Sequence, residues 1–128
     1  ATDIDREAVA AARQNARRAG VEEHISLSAG DFMRTEVPPG GGLVVFNPPY
    51  GERLGEEAAL EDLYRRIGDF LKKSCQGYAG AVFTGNLALA KRIGLRTSRR
   101  IPFWNGDIES RLLVYELYGG SRKPDRGV

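Results

Sequence analysis

Apolar residues along this chain change their spacing several times, and Gly or Pro marks most of the changes. Ala1-Thr2-Asp3-Ile4 reads as the end of a strand. Asp5 can then cap a helix, with Glu7 in a first turn where a carboxylate is favoured. Ala8, Ala12, Ala16 and Ala19 recur at helical spacing and make a narrow small-residue face, which Gly20 terminates. Residues Ile25 to Ala29 read as a second strand that ends at Gly30-Asp31-Phe32. Behind Gly40-Gly41-Gly42, the run Leu43-Val44-Val45-Phe46 is apolar without alternation, the pattern of a strand buried in a parallel sheet. Leu60, Leu63, Tyr64, Ile67, Phe70 and Leu71 then mark one face of an amphipathic helix. Ala81-Val82-Phe83-Thr84 reads as a fourth strand, and Leu87 to Ile93 as a short helix.

The pattern changes character after residue 99. Arg100 to Trp104 and Ile108 to Leu117 are strand-like, and Asn105-Gly106 between them is a strong hairpin signal. Strands alternating with helices and closed by a hairpin predict an α/β fold with a mostly parallel sheet ending in an antiparallel hairpin. At 128 residues and 41% hydrophobic content the chain can bury one core but not two. Residues 1–118 are expected to form that domain. Gly119 to Val128 is polar, contains Gly, Pro and Arg, and reads as a frayed tail. A single cysteine, Cys75, excludes an internal disulfide or a cysteine-rich zinc site and suits a reducing cytosol. The single histidine, His24, argues against a His-based metal site or triad, and both residues are read as structural. No apolar stretch approaches the ~20 residues needed to span a membrane.

Charge is unevenly distributed. Residues 1–69 hold 8 Lys/Arg against 13 Asp/Glu, a balance of −5, whereas residues 70–128 hold 11 against 4, a balance of +7. Lys91, Arg92, Arg96, Arg99 and Arg100 are the densest basic stretch. Such a cluster either binds phosphates or forms an ordinary solvated face.

The most informative residues are Asn47-Pro48-Pro49-Tyr50, directly after the Leu43–Phe46 run. Two prolines end a strand abruptly and freeze the backbone beyond it. The result is a rigid loop at the carboxyl end of a strand, where open α/β sheets bind ligands. It offers an amide side chain, a fixed carbonyl and an aromatic face, a set that suits a planar ring with an exocyclic amino group. Taken alone, the tetrapeptide is also compatible with a plain strand-ending loop.

Asn47-Pro48-Pro49-Tyr50 resembles the motif of S-adenosyl-L-methionine-dependent methyltransferases that modify exocyclic amines of adenine, guanine or glutamine. The extended stretch through Gly51-Glu52-Arg53-Leu54-Gly55 is similar to THUMP-associated RNA methyltransferases, above all the large-subunit rRNA guanine-N2 methyltransferases, often labelled N6-adenine-specific DNA methylases. The resemblance covers Ala1 to about Tyr118 and implies a Rossmann-like class I methyltransferase fold with ribosomal RNA as partner. Asn47 and the Pro48 carbonyl would then hold the target amine, with Tyr50 stacked on the target base and Pro49 completing the substrate loop. Asp3 would accept from both ribose hydroxyls of the cofactor; the alternative is a second helix cap beside Asp5. Asp31 would accept from the adenine amino group, with Phe32 against the ring and Asn47 near the cofactor as well. Ile4 would wall the adenosine pocket or else lie in the core. Glu52, Arg53 and Trp104 stay outside the catalytic set.

A methyltransferase of this type normally begins with a strand and a Gly-rich turn that hold the methionine part of the cofactor. Two residues precede Asp3, and Gly40-Gly41-Gly42 stands before a strand rather than after one. The chain is therefore expected to be the C-terminal portion of a catalytic domain, inactive by itself. Amino-methylation of DNA adenine or of a protein glutamine, and a binding module without catalysis, are the alternatives.

Overall fold

The computed structural model describes residues 1–51 and 56–118. Glu52, Arg53, Leu54 and Gly55 of the extended motif, and the tail from Gly119 to Val128, lie outside the described residues. The chain forms two compact units, Ala1–Glu36 and Val37–Val128.

The first unit consists of β1 (Thr2–Asp3), α1 (Arg6–Arg18) and β2 (Ser28–Ala29), with single 3-10 turns at Glu22–His24 and Phe32–Arg34. Asp5 caps α1 as expected, its Oδ1 accepting the Glu7 N–H at 2.9 Å. Glu7 in the first turn and Arg17 and Arg18 in the last complement the helix dipole. Gly20, at φ 72°, turns the chain just past the helix. Val9 and Ala16 are the buried residues of α1, while Ala19 is exposed, so the small-residue face is shorter than the spacing suggests. The strand expected over 25–29 is a strand at Ser28–Ala29 alone, paired in parallel as Thr2↔Ser28 and Asp3↔Ala29. Ile25 is unavailable to a ladder because its N–H closes the preceding turn on the Glu22 carbonyl.

The second unit contains β3 (Gly42–Phe46), α2 (Glu57–Ser74), β4 (Tyr78–Thr84), α3 (Leu87–Ala90), β5 (Arg99–Asn105) and β6 (Ile108–Glu116). Its sheet has the order β3-β4-β6-β5. β3 runs parallel to β4, and β6 pairs antiparallel with both β4 and β5, so the pairing is mixed and the hairpin supplies two of the four strands. The amphipathic helix forms where its periodicity places it. Leu60, Tyr64, Ile67, Phe70 and Leu71 are buried, each large apolar side chain contributing roughly 1.5–3 kcal/mol by leaving water. Phe70 meets Phe46 edge to face at 6.1 Å. Gly80 of β4 leaves room for Leu71, whose Cδ2 would lie 3.1 Å from a Cβ there. Gly68 lets the 3-10 turn Lys91–Ile93 approach closely: a Cβ at 68 would stand 1.9 Å from the Ile93 carbonyl oxygen.

Two expectations need correction. The Leu43–Phe46 run is parallel but not buried on both faces, with Leu43 62% and Val45 58% exposed. The reason is the pleat: Val44 and Phe46 point to the face that α2 covers, and Leu43 and Val45 point to the opposite one. The hairpin also turns one residue later than Asn105-Gly106 implies. Asn105 pairs with Ile108 as the last rung of β5, leaving Gly106-Asp107 as the two-residue turn. Positive φ falls on Gly106 (61°) and not on Asp107, the requirement of a II′ hairpin.

Candidate active site

The chain leaves β3 at Phe46 and passes through Asn47, Pro48, Pro49 and Tyr50 at the carboxyl end of the strand. Pro48 is buried, Tyr50 half-buried, and Asn47 and Pro49 exposed. A directed series of hydrogen bonds fixes this loop. The Tyr64 hydroxyl donates to the Pro49 carbonyl at 3.1 Å. With its proton spent there, Tyr64 accepts from the Thr84 hydroxyl at 2.7 Å. Thr84 in turn accepts the Asn86 N–H at 3.1 Å. Asn86 also returns to the loop, its Nδ2 donating to the Tyr50 carbonyl at 3.3 Å. Tyr64 and Thr84 are fully buried, where an unmet polar group is costly, so the series favours one arrangement strongly. Burial, with Tyr50 nearby, pushes the Tyr64 hydroxyl pKa up against the lowering effect of its Thr84 bond. The group thus keeps its proton and stays a donor at neutral pH.

Tyr50 is held at its far end as well. Asn105 Nδ2 donates to its hydroxyl oxygen at 3.0 Å. Its ring edge rests on Gly85, where a Cβ would come within 3.0 Å of Tyr50 Cε2. Two consecutive carbonyls, a ring edge and a phenol oxygen are all engaged, and the two prolines restrict φ within the loop. Asn47 takes no part in this network and is exposed. The loop is therefore a preset frame with one exposed amide residue, suited to a flat ligand bearing N–H donors.

In the first unit, Asp3 ends β1 and Asp31 follows the neighbouring β2 by two residues. The Gly30 N–H donates to the Asp3 carbonyl at 2.9 Å, which brings the two turns side by side. Each carboxylate is oriented locally: Asp3 Oδ1 accepts the Asp5 N–H at 2.8 Å, and Asp31 Oδ1 accepts the Met33 N–H at 2.9 Å. Asp31 caps the Phe32–Arg34 turn, whereas the cap of α1 is Asp5 and not Asp3. Phe32 is half-buried. Ile4 is 78% exposed and so is not a core residue.

Tyr64, Thr84, Gly85, Asn86 and Asn105 escaped the sequence reading. Tyr64 counted as one more apolar helix position and Asn105 as a turn residue. A tyrosine on a buried helix face does signal a hidden hydroxyl partner, since buried phenols are hydrogen-bonded. The basic stretch is not one surface. Arg99 and Arg100 are successive on β5 and face opposite ways, and Arg92 pairs with Glu61 at 3.3 Å. Cys75 is a buried free thiol, and His24 ends an exposed 3-10 turn. Among the described residues no group of His, Cys, Asp and Glu could hold a metal ion, and no helix is long and apolar enough to cross a membrane.

Comparison with known proteins agrees with this architecture. A candidate RNA methyltransferase of Synechocystis sp. is 47% identical over 117 residues, spanning 91% of this chain and 30% of the relative. The ribosomal RNA large subunit methyltransferase K/L of Syntrophotalea carbinolica is 44% identical over 119 residues, spanning 90% of this chain and 17% of the relative. The chain thus spans less than a third of the length of these curated relatives. A candidate methyltransferase solved in complex with SAH superposes with a TM-score of 0.82 at 26% identity, over 95% of this chain and 32% of that one. The mixed α/β arrangement is that of class I methyltransferases. The model of the RMKL-like methyltransferase domain matches residues 1–113, and the chain belongs to that family.

Proposed function

We propose that this chain provides the cofactor acids and the target-amine loop of an S-adenosyl-L-methionine-dependent methyltransferase acting on large-subunit ribosomal RNA, with guanine N2 as the acceptor. The observation that carries the reading is the Asn47–Tyr50 loop, clamped from beneath by Tyr64 and Asn86 while Asn47 stays open to a ligand. The names of the relatives support RNA as the substrate class. In this reading residues 1–118 belong to the catalytic domain.

The residues present fit the cofactor chemically. A carboxylate accepts two hydrogen bonds at once and so matches a vicinal diol, the role of Asp3. Asp31 offers an acceptor to the adenine amine, with Phe32 beside it to cover the ring, and exposed Ile4 adds apolar surface. S-adenosyl-L-methionine, when bound, supplies an activated sulfonium methyl. An exocyclic purine amine is a poor nucleophile because its lone pair is delocalised into the ring. Asn47 Oδ1 and the Pro48 carbonyl, both acceptors, hold its two N–H bonds and favour the pyramidal geometry needed for attack. Tyr50 stacks on the extruded base, and Pro49 keeps the loop from relaxing. The protein's contribution is position and electrostatics.

The test uses the complete protein and ribosomal RNA from cells lacking it, with methyl incorporation mapped to one nucleotide. Asn47→Ala is expected to slow transfer by at least ~10²-fold, the scale of losing one preorganised hydrogen-bonding group. Cofactor affinity stays nearly unchanged. Full activity of Asn47→Ala would refute the reading, and labelling of duplex DNA adenine or of a protein glutamine would replace the substrate.

A further inference from the structure

Asn105, the last residue of β5, lies 55 residues from Tyr50 in sequence, yet its amide nitrogen sits 3.0 Å from the Tyr50 hydroxyl. The contact depends on the hairpin geometry. Because the tight turn is Gly106-Asp107, Asn105 remains in the ladder opposite Ile108. Ile108 also reaches the Tyr50 neighbourhood: a Cβ at Gly85 would lie 3.1 Å from Ile108 Cγ2 and 3.0 Å from Tyr50 Cε2. The last rung of the hairpin therefore borders the Tyr50 ring, with Ile108 near the Gly85 side and Asn105 at the hydroxyl.

Each hold on Tyr50 has a different consequence. Asn86 fixes the backbone from which the ring departs. Gly85 sets how closely the ring edge approaches β4. Neither makes a hydrogen bond to the side chain of half-buried Tyr50. The bond to the hydroxyl, at the greatest distance from the backbone, has the longest lever against a swing of the ring. A phenylalanine would offer the same stacking face, so the hydroxyl is the feature that the Asn105 contact uses.

We propose that Asn105 is a positioning residue that sets the plane of the Tyr50 ring and so the angle at which the target base presents its amine to Asn47. The inference rests on the reading of Tyr50 as the base-stacking residue. It makes the β5–β6 hairpin part of the substrate site, since a shift of the hairpin tilts the ring through this bond. Asn105 is exposed, so the expected effect is that of one hydrogen bond in partial contact with water.

The experiment measures kcat/KM on ribosomal RNA for the complete protein carrying Asn105→Ala, Tyr50→Phe or both, together with cofactor affinity and thermal midpoint. Each single change lowers kcat/KM by about 2- to 10-fold, leaves cofactor affinity and midpoint unchanged, and the double variant falls no further than the worse single one. Asn105→Asp, whose carboxylate accepts the Tyr50 hydroxyl proton, restores most of the loss. Multiplying effects in the double variant, or wild-type kcat/KM in Asn105→Ala, would overturn the proposal. Loss in Asn47→Ala beside an unaffected Asn105→Ala refutes this inference alone, whereas full activity of Asn47→Ala refutes the functional reading beneath it.

Discussion

Replacing Tyr64 by Phe removes one oxygen from a fully buried site and tests the clamp beneath the loop. The structure gives that oxygen two bonds, to the Pro49 carbonyl at 3.1 Å and to the Thr84 hydroxyl at 2.7 Å. Each net bond is worth ~0.5–1.5 kcal/mol, so the pair comes to ~1–3 kcal/mol. The upper half of that range is expected. Thr84 is 0% exposed and loses its acceptor, although the Asn86 N–H still donates to it. Ring packing is preserved, so no cavity adds to the cost. Hydrogen exchange read by mass spectrometry on peptides spanning 57–74 and 78–84 of the complete protein reports the opening free energy. Thr84→Val should cost a similar amount, and the double variant should cost clearly less than the sum because the two share a bond. A loss below ~0.5 kcal/mol for Tyr64→Phe would show that the hydroxyl is not holding the loop, and strict additivity with Thr84→Val would show that the two hydroxyls are not bonded.

Other consequences are equally direct. Gly68→Ala improves helix propensity by ~1 kcal/mol, yet its Cβ would press within 1.9 Å of the Ile93 carbonyl oxygen. A net destabilisation of ~1–3 kcal/mol is expected in urea titration, and a stabilised variant would disprove the close approach. Burial pushes the Tyr115 hydroxyl pKa up to about 12, against the lowering influence of Arg100. Between pH 10, where the unfolded phenol ionises, and about 12, stability should fall as pH rises, by up to ~1.4 kcal/mol per unit. Below pH 10 this contribution is constant, and Tyr115→Phe should remove it, as unfolding titrations at pH 9, 10 and 11 would reveal. Asp3→Ala in the complete protein should raise the cofactor Kd roughly tenfold to a hundredfold by calorimetry. An unchanged Kd would leave Asp3 with its local bond to Asp5 and no ligand role.

The α2 face was legible in the sequence, five of its six positions being buried and Leu63 half-buried, because a 3.6-residue period reports which side chains turn inward whatever they meet. The Asp5 cap and the Gly20 stop were legible for a similar reason, being local bonds and local φ requirements. The Asn47–Tyr50 loop was legible because two prolines impose their conformation without help from the rest of the chain. Tertiary structure decided the remainder. An apolar run such as Leu43–Phe46 tells of attraction to a neighbour but not of how many neighbours there are, so its edge position was hidden. Asn105-Gly106 has the composition of a turn, yet the register with Ile108 moved the turn by one residue and released Asn105 for Tyr50. The bonds that hold the loop join residues 15 to 55 positions apart. No local preference encodes such pairings; they exist because α2, β4 and the hairpin pack together and leave buried hydroxyls and amides that must find partners.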